Sequence, residues 1–141
     1  MSIYADTSFV VSLYLPDRHS SEAERRMALR LCLLLTPLHR AEWIHAIERH
    51  VFQKQLARRE AKQIYLEFER DWAIGVWAEV GLPDSAIDVC GELARRYAAR
   101  FANRTLDTLH VASALELKAE RFWTFDERQA KLACAAGLKT E

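Results

Sequence analysis

The chain has 141 residues, of which 50% are hydrophobic, and its 20 Lys and Arg residues are balanced by 20 Asp and Glu residues. This length and apolar content predict a single domain over residues 1–141 with a buried core. Because the net charge is zero, no overall positive field attracts a polyanion, so any nucleic-acid site must arise from local segregation of charge.

The cysteines and the N-terminus indicate where the protein resides. Cys32, Cys90 and Cys134 are far apart, odd in number and without CxxC spacing. This pattern argues against a disulfide framework and a structural zinc site, and it favours a reducing, cytoplasmic location. No apolar run approaches the roughly 20 residues that a membrane span needs. We therefore expect neither secretion nor membrane insertion.

The N-terminus predicts a strand followed directly by a helix. Residues 2–5 have strand character, and the polar group Asp6-Thr7-Ser8 that follows them can cap a helix over residues 9–15. In this arrangement Asp6 lies at the carboxyl end of the first strand, where open α/β sheets place ligand-binding groups.

The next segment predicts a second helix and a second strand. Ser21 and Glu24 have the spacing of a capping box, which opens a helix through about residue 31. The continuous apolar run Leu31–Leu35 is typical of a strand that is covered on both faces. Thr36 and Pro37 then supply the N-cap and the first-turn proline of a third helix.

Two amphipathic helices follow and are predicted to form a hairpin. Their apolar residues recur at three- to four-residue spacing: Ala41, Ile44, Ile47 and Val51, then Ala61, Ile64, Tyr65, Phe68 and Trp72. Residues 76–80 predict a strand, and Pro83-Asp84 introduces another helix. The apolar face of that helix is predicted to comprise Ile87, Cys90, Leu93, Ala94, Tyr97 and Phe101.

The C-terminal third continues the alternation of helix and strand. Thr105 can cap a helix through about residue 117, residues 121–125 predict a strand, and residues 126–136 predict a helix closed by Gly137. Repeated strand–helix units require right-handed crossovers. The order therefore predicts an α/β fold, namely a three-layer α/β/α sandwich with a mostly parallel central sheet.

Four carboxylates are predicted to meet at the carboxyl edge of this sheet. Asp6 and Asp126 each follow a strand, whereas Glu42 and Asp107 lie in the first turns of helices that can start at the same edge. Such carboxylates repel one another at neutral pH unless cations compensate their charge. Oxygen ligands, without cysteine or a histidine pair at metal spacing, suit Mg²⁺ or Mn²⁺ and phosphodiester chemistry.

Four sequence motifs carry these acids: Tyr4-Ala5-Asp6-Thr7-Ser8, Arg40-Ala41-Glu42-Trp43, Leu106-Asp107-Thr108-Leu109-His110-Val111-Ala112-Ser113-Ala114-Leu115 and Trp123-Thr124-Phe125-Asp126. In order and spacing they resemble the PIN domains, especially the VapC-type toxins of bacterial toxin–antitoxin pairs. The resemblance covers nearly the whole chain. The segment around Arg58 and Arg59 is shorter and less basic than in many relatives.

This resemblance implies a function. The acids Asp6, Glu42, Asp107 and Asp126 would form a metal-binding catalytic pocket, and Thr7, Ser8 or Thr124 would position carboxylates or water. The reaction implied is hydrolysis of RNA by metal-activated water, in an endoribonuclease that is the toxin of a type II pair. A small cognate antitoxin and a homodimer are also implied. The apolar residues Trp43, Ile47, Tyr65 and Trp72 further suggest a dimer surface.

Each of these residues also has a purely structural interpretation. Asp6 and Asp126 can be helix caps, Asp107 a favourable first-turn acid and Glu42 a solvated helix residue. His110 follows Asp107 on one helix face and is either a substrate or metal contact or a packed histidine. The side chains of His45 and Arg49 share the face of Glu42 and either meet phosphate or form a solvated stripe.

Three other functions remain as alternatives. A non-catalytic PIN-like scaffold or partner-binding module would keep the fold without the chemistry. An aspartate-based phosphatase also begins with an aspartate after its first strand, but it needs a second acid two residues on, where Ser8 stands. A phospho-acceptor receiver domain needs a lysine after a late strand, where Asp126 stands. The sequence also leaves open whether a nuclease would be a toxin or a housekeeping enzyme.

Overall fold

Four short parallel strands lie at the centre of the fold. The structure is a computed structural model that describes residues 1–141. The strands are β1 (Ser2–Ala5), β2 (Cys32–Leu35), β3 (Trp77–Glu79) and β4 (Arg121–Trp123). Their order in the sheet is β3-β2-β1-β4, so β1 is hydrogen-bonded to both β2 and β4. The predicted parallel sheet is confirmed.

Helices connect all the strands. They are α1 (Thr7–Ser12), α2 (Ser20–Met27), α3 (Pro37–Phe52), α4 (Arg58–Ala73), α5 (Ala86–Leu93), α6 (Ala99–Phe101), α7 (Thr105–Glu116) and α8 (Glu127–Ala135). A π-helical turn, Ala94–Ala98, joins α5 to α6. None of the helices combines the length and the apolar character that a bilayer span requires.

The side chains of each strand alternate between two apolar cores, one on each face of the sheet. Ile3 and Ala5 of β1 belong to a core that includes Phe9, Trp43 and Phe68 from α1, α3 and α4. Between them, Tyr4 points into a second core, built with residues of α5, α7 and α8 such as Leu93, Val111 and Leu132. This alternation follows from the two-residue period of a strand and produces the predicted three-layer α/β/α sandwich.

The predicted hairpin of α3 and α4 is present, but it buries residues that the sequence suggested for a dimer surface. Trp43 and Ile47 are 1% and 0% exposed, and the Trp43 ring stacks on Phe68 with centroids 4.1 Å apart. Tyr65 and Trp72 are partly buried against the same core. The idea that Trp43 and Ile47 exceed the needs of the core is therefore wrong, because the sheet face beneath α3 uses both.

Two local predictions are also corrected. Helix α2 begins at Ser20 rather than with a Ser21–Glu24 capping box, since the Ser20 hydroxyl donates to the carbonyl of Ser12 over 2.7 Å and ties the helix start to α1. Ile87, expected on the buried face of α5, is 62% exposed, whereas Ala86 is buried. Cys90 and Leu93 are buried as predicted, so only the first position of the buried face differs from the prediction.

Candidate functional site

A polar cleft opens at the carboxyl edge of the sheet. Its volume is about 610 Å³, and only 3 of its 15 lining residues are hydrophobic. All four predicted acids line it: Asp6, Glu42, Asp107 and Asp126. Asp6 directly follows β1 and Asp126 lies just beyond β4, while the other two acids come from early turns of α3 and α7. The parallel topology brings them together because neighbouring parallel strands end at the same edge.

Asp6 is the buried member of this set. Its side chain is 6% exposed, and it caps α1 by accepting the N–H of Phe9 at Oδ1 over 3.0 Å. Its Oδ2 accepts the hydroxyl of Ser8 over 2.7 Å and lies 3.1 Å from the hydroxyl of Thr124. Burial raises the pKa of Asp6, although these hydrogen bonds oppose the rise. Asp6 takes part in none of the ion pairs of the structure.

Glu42 is held by two side chains from other elements. The Thr7 hydroxyl donates to Glu42 Oε1 over 2.9 Å, and His110 Nε2 makes a close hydrogen bond to the same oxygen. Because a carboxylate only accepts, Nε2 carries the proton, and His110 Nδ1 can accept the hydroxyl of Tyr4, 2.8 Å away. Burial tends to raise the pKa of Glu42, but the hydrogen bonds from His110 and Thr7 outweigh it and lower the pKa.

A second histidine lies beneath the cleft and was not anticipated. His39 is 1% exposed; its Nε2 lies 2.7 Å from the carbonyl of Ala5, and its Nδ1 accepts the backbone N–H of Thr36 over 3.0 Å. Burial, with a contribution from His110, lowers the pKa of His39 to about 3. His39 is thus neutral and ties the start of α3 to the end of β1. Its position three residues after the predicted N-cap Thr36 was the available signal.

Asp107 and Asp126 are more exposed and act at helix starts. Asp126 is the N-cap of α8, since its Oδ1 accepts the N–H of Gln129 over 2.9 Å. Asp107 pairs with Arg104, whose Nε lies 3.3 Å from Oδ2. Arg104 itself is 86% exposed. The capping interpretation is therefore correct for Asp6 and Asp126, and it coexists with their place in the cleft.

The buried amide of Gln129 connects the segments that carry three of the acids. Its Oε1 lies 2.7 Å from the Thr124 hydroxyl, and its Nε2 donates to the backbone carbonyl of Asp107 over 3.2 Å. Thr124 also accepts the N–H of Asp126 over 3.0 Å. Sequence reasoning missed Gln129. The signal was a polar residue on the apolar face of α8, three residues before the buried Leu132.

Two arginines also line the cleft. Arg49 lies on the same face of α3 as Glu42, and it takes part in none of the ion pairs. Arg104 was not anticipated, because nothing in the sequence distinguishes it from the surface arginines before it. His45, considered together with Arg49, is exposed and does not line the cleft. The cleft is thus acidic at its centre with cations beside the acids.

The chemistry of the donors fits a hard divalent cation. The cleft offers carboxylate and hydroxyl oxygens without cysteine, which suits Mg²⁺ or Mn²⁺. The buried Asp6 carboxylate has no cationic ion-pair partner, and a bound cation would supply one. As the side chains stand, no three His, Cys, Asp or Glu residues are close enough to hold one ion. Hydrogen bonds to His110 and Arg104 engage Glu42 and Asp107.

Comparison with protein families decides the classification. The family model described as PIN domain matches residues 3–134. The chain belongs to the PIN domain family. No curated protein sequence matches this PIN domain. The family match confirms the resemblance that the four acidic motifs indicated, and the match extends over all four of them.

Solved structures of VapC-type proteins share the fold of this PIN domain. VapC20 of Mycobacterium tuberculosis, a sarcin-ricin loop cleaving toxin, superposes with a TM-score of 0.71 at 18% identity, covering 96% of this chain and 95% of that one. VapBC2 from Rickettsia felis, bound to a DNA fragment from its promoter, gives 0.69 at 14%, covering 100% and 98%. FitAcB from Neisseria gonorrhoeae gives 0.70 at 14%, covering 98% and 95%.

Proposed function

We propose that this PIN domain is a divalent-metal-dependent endoribonuclease and the toxin of a type II toxin–antitoxin pair. The observation that carries the proposal is the cleft in which acids from four separate elements meet in a chain of the PIN family. Asp6, Glu42, Asp107 and Asp126 would hold Mg²⁺ or Mn²⁺. The bound cation would activate water and neutralise negative charge on the phosphate during cleavage.

The hydrogen bonds around the acids support this role. Glu42, Asp107 and Asp126 each use one carboxylate oxygen in a hydrogen bond, namely Oε1, Oδ2 and Oδ1, and each keeps the other oxygen without one. Three residues that line the cleft thus each keep a carboxylate oxygen that can accept a ligand. The Ser8 hydroxyl donates to Asp6 Oδ2 and the Phe9 N–H donates to Oδ1, so the carboxylate is oriented before any ligand arrives.

The arginines of the cleft support RNA as the substrate. The cleft is lined by five carboxylates, namely the four predicted acids and Asp17, and these repel a polyanion, so the affinity for RNA has to come from the cation and from neighbouring positive charges. Arg49 has no carboxylate partner and can contact a phosphate beside the cleaved one. Arg104 would contact a second phosphate if it left Asp107.

The proposal extends to partners and location. Likeness to VapC20 and VapBC2 supports a small cognate antitoxin, and an antitoxin arginine would suit the acidic cleft. We also propose a homodimer in the cytoplasm, with residues 1–141 as one domain. Apolar side chains remain exposed on or beside the α3–α4 hairpin for such contacts: Phe52, Leu66 and Ile74, at 86%, 65% and 67%.

Cleavage of a mixed pool of structured RNAs, with and without a chelator, tests the function. We expect cleavage that needs Mg²⁺ or Mn²⁺ and that fails in Asp6→Asn and in Asp107→Asn, because each change removes a negatively charged metal ligand. Asp88→Asn, at an exposed position of α5 away from the cleft, is the matched control and should cleave as the parent does. Cleavage that resists the chelator, or full activity in Asp6→Asn, would contradict the mechanism.

A non-catalytic scaffold is the second candidate. It is favoured by the fact that no three side chains are placed to hold one ion as they stand. Absence of any Mn²⁺-induced rise in the parent's melting temperature, together with absence of cleavage, would support the scaffold. Nothing in the cleft favours the aspartate phosphatase, since Ser8 donates a hydrogen bond to Asp6 and is not an acid.

A further inference from the structure

We infer that Gln129 is a positioning residue that keeps Asp6, Asp107 and Asp126 in register across the cleft. The inference rests on the proposed metal-dependent function. It comes from the contacts of one buried amide, 1% exposed, which lies among apolar neighbours of α8. A polar side chain so buried is normally hydrogen-bonded, and here both side-chain hydrogen bonds of Gln129 lead to a segment that carries an acid.

Three contacts define the role. The backbone N–H of Gln129 binds Asp126 Oδ1 over 2.9 Å, its Nε2 donates to the carbonyl of Asp107 over 3.2 Å, and its Oε1 lies 2.7 Å from the Thr124 hydroxyl. The same hydroxyl lies 3.1 Å from Asp6 Oδ2. Gln129 Oε1 and Asp6 Oδ2 both accept, so they share the single hydroxyl proton of Thr124, and Gln129 is the nearer acceptor. Gln129 therefore connects the start of α7 to the start of α8 and fixes the Thr124 hydroxyl beside the carboxylate that follows β1.

The direction of the amide follows from its partners. The carbonyl of Asp107 can only accept, so the NH₂ group must face it and the amide oxygen must face Thr124. In a flipped amide, the Gln129 amide oxygen would face the carbonyl oxygen of Asp107, and neither atom can donate a hydrogen bond. Only a side chain of this length with a donor and an acceptor at its end can bridge α7 to Thr124. Glu42 is outside this network, because Thr7 and His110 hold it.

Gln129→Met tests the inference, because it keeps length and volume but removes both side-chain hydrogen bonds. We expect Mn²⁺ affinity, measured by calorimetric titration of the metal into the protein, to fall by roughly 10- to 100-fold, the usual effect of losing a group that orients metal ligands. RNA cleavage should recover as Mn²⁺ is raised. Leu132→Ala, at a buried position of the same helix, is the control and should melt lower while binding Mn²⁺ as the parent does.

A second set of variants keeps the inference falsifiable if Gln129→Met does not fold. Gln129→Asn stays polar but is too short to reach both partners, and the same loss is expected. Thr124→Val should also weaken Mn²⁺ binding, and the loss in the double variant with Gln129→Met should be smaller than the sum of the two single losses, since both changes remove the hydrogen bond between Thr124 and Gln129. Fully additive losses, or equal loss in Leu132→Ala, would overturn the inference.

The failure of this inference is distinguishable from failure of the proposed function. If the parent binds Mn²⁺ and Asp6→Asn does not, but Gln129→Met and Gln129→Asn bind within about twofold of the parent, a spread smaller than the tenfold lower bound expected, only the positioning role is wrong. If the parent neither binds Mn²⁺ nor cleaves RNA, the metal-dependent function is wrong and the inference fails with it.

Discussion

His39 is a neutral imidazole whose two ring nitrogens are both used beneath the cleft. Burial disfavours the charged form of His39 and lowers its pKa from 6.5 to about 3. A proton on Nδ1 would also point at the N–H of Thr36, which donates to this nitrogen in the folded chain. A group whose pKa is lower in the folded chain than in the unfolded chain stabilises the fold at pH values above its unfolded pKa. This stabilisation is lost as the pH falls toward the folded pKa. We therefore expect His39 to weaken the fold between about pH 6.5 and pH 3.

Urea unfolding at pH 7, 6 and 5 measures this effect. In this window the unfolded chain binds up to one proton more at His39 than the folded chain does. The free energy of unfolding should therefore fall by up to ~1.4 kcal/mol for each unit by which the pH is lowered, from this residue alone. The variant His39→Gln keeps a donor for the Ala5 carbonyl but does not titrate, and its profile should be flatter. Parallel profiles for the two proteins would contradict the assignment.

Arg49 is the cleft cation without an acidic partner, and its proposed role is in substrate affinity. If it contacts a phosphate, Arg49→Ala should raise the KM for RNA several-fold and leave kcat nearly unchanged. The salt dependence of binding, as the slope of log K against log salt, should drop by about one. The exposed His45→Ala on the same helix is the control. A lower kcat at unchanged KM would instead indicate a part in the chemistry.

At the scale of the helix, Asp126 is the observed cap of α8 and a proposed metal ligand, and substitution can separate the two roles. Asp126→Ala removes the cap of α8 and should destabilise the domain by about 1 kcal/mol, whereas Asp126→Asn keeps a capping oxygen for Gln129 and should melt close to the parent. Both variants lose the carboxylate and should bind Mn²⁺ more weakly. Thermal melts with chelator give the first result and Mn²⁺ titrations the second. Normal Mn²⁺ binding by Asp126→Asn would leave capping as its only role.

At the scale of the whole molecule, the proposed binding of metal by the buried Asp6 would be linked to folding. The pKa of Asp6 is higher in the folded chain than in the unfolded chain. Its contribution to stability is therefore complete at pH values below the unfolded pKa and is lost as the pH rises through the folded pKa. At neutral pH in chelator, Asp6→Asn should thus melt a few degrees above the parent, an effect of about 1 kcal/mol. The difference in melting temperature between Asp6→Asn and the parent should become smaller as the pH is lowered.

Divalent metal should reverse this order. A ligand at 100 times its Kd stabilises the folded state by about 2.7 kcal/mol, so Mn²⁺ should raise the parent's melting temperature and leave that of Asp6→Asn unchanged. Melting curves of both proteins with chelator and with Mn²⁺ provide the four values needed. Equal Mn²⁺ shifts in both proteins would exclude Asp6 as a ligand.

The sequence by itself determined the alternation of strands and helices, the parallel sheet and the four cleft acids. The strands are short apolar runs followed by polar caps, and these signals are local, so Asp6 and Asp126 could be placed at strand ends without coordinates. Parallel order then brings such ends to one edge. Even the uncertain histidine at position 110 was correctly placed on the helix that carries Asp107.

Only the tertiary structure decided which polar side chains serve those acids. His110 contacts Glu42 across 68 positions of sequence, and Thr124 contacts Asp6 across 118, distances at which no local pattern carries information. The same holds for Gln129, whose side chain contacts Asp107 on α7 and Thr124 after β4. It also holds for Trp43 and Ile47, which the sequence suggested for a dimer surface but which are buried in the core. Helical period predicts which side chains share a face, but whether that face meets apolar side chains, a carboxylate or solvent depends on how the layers pack.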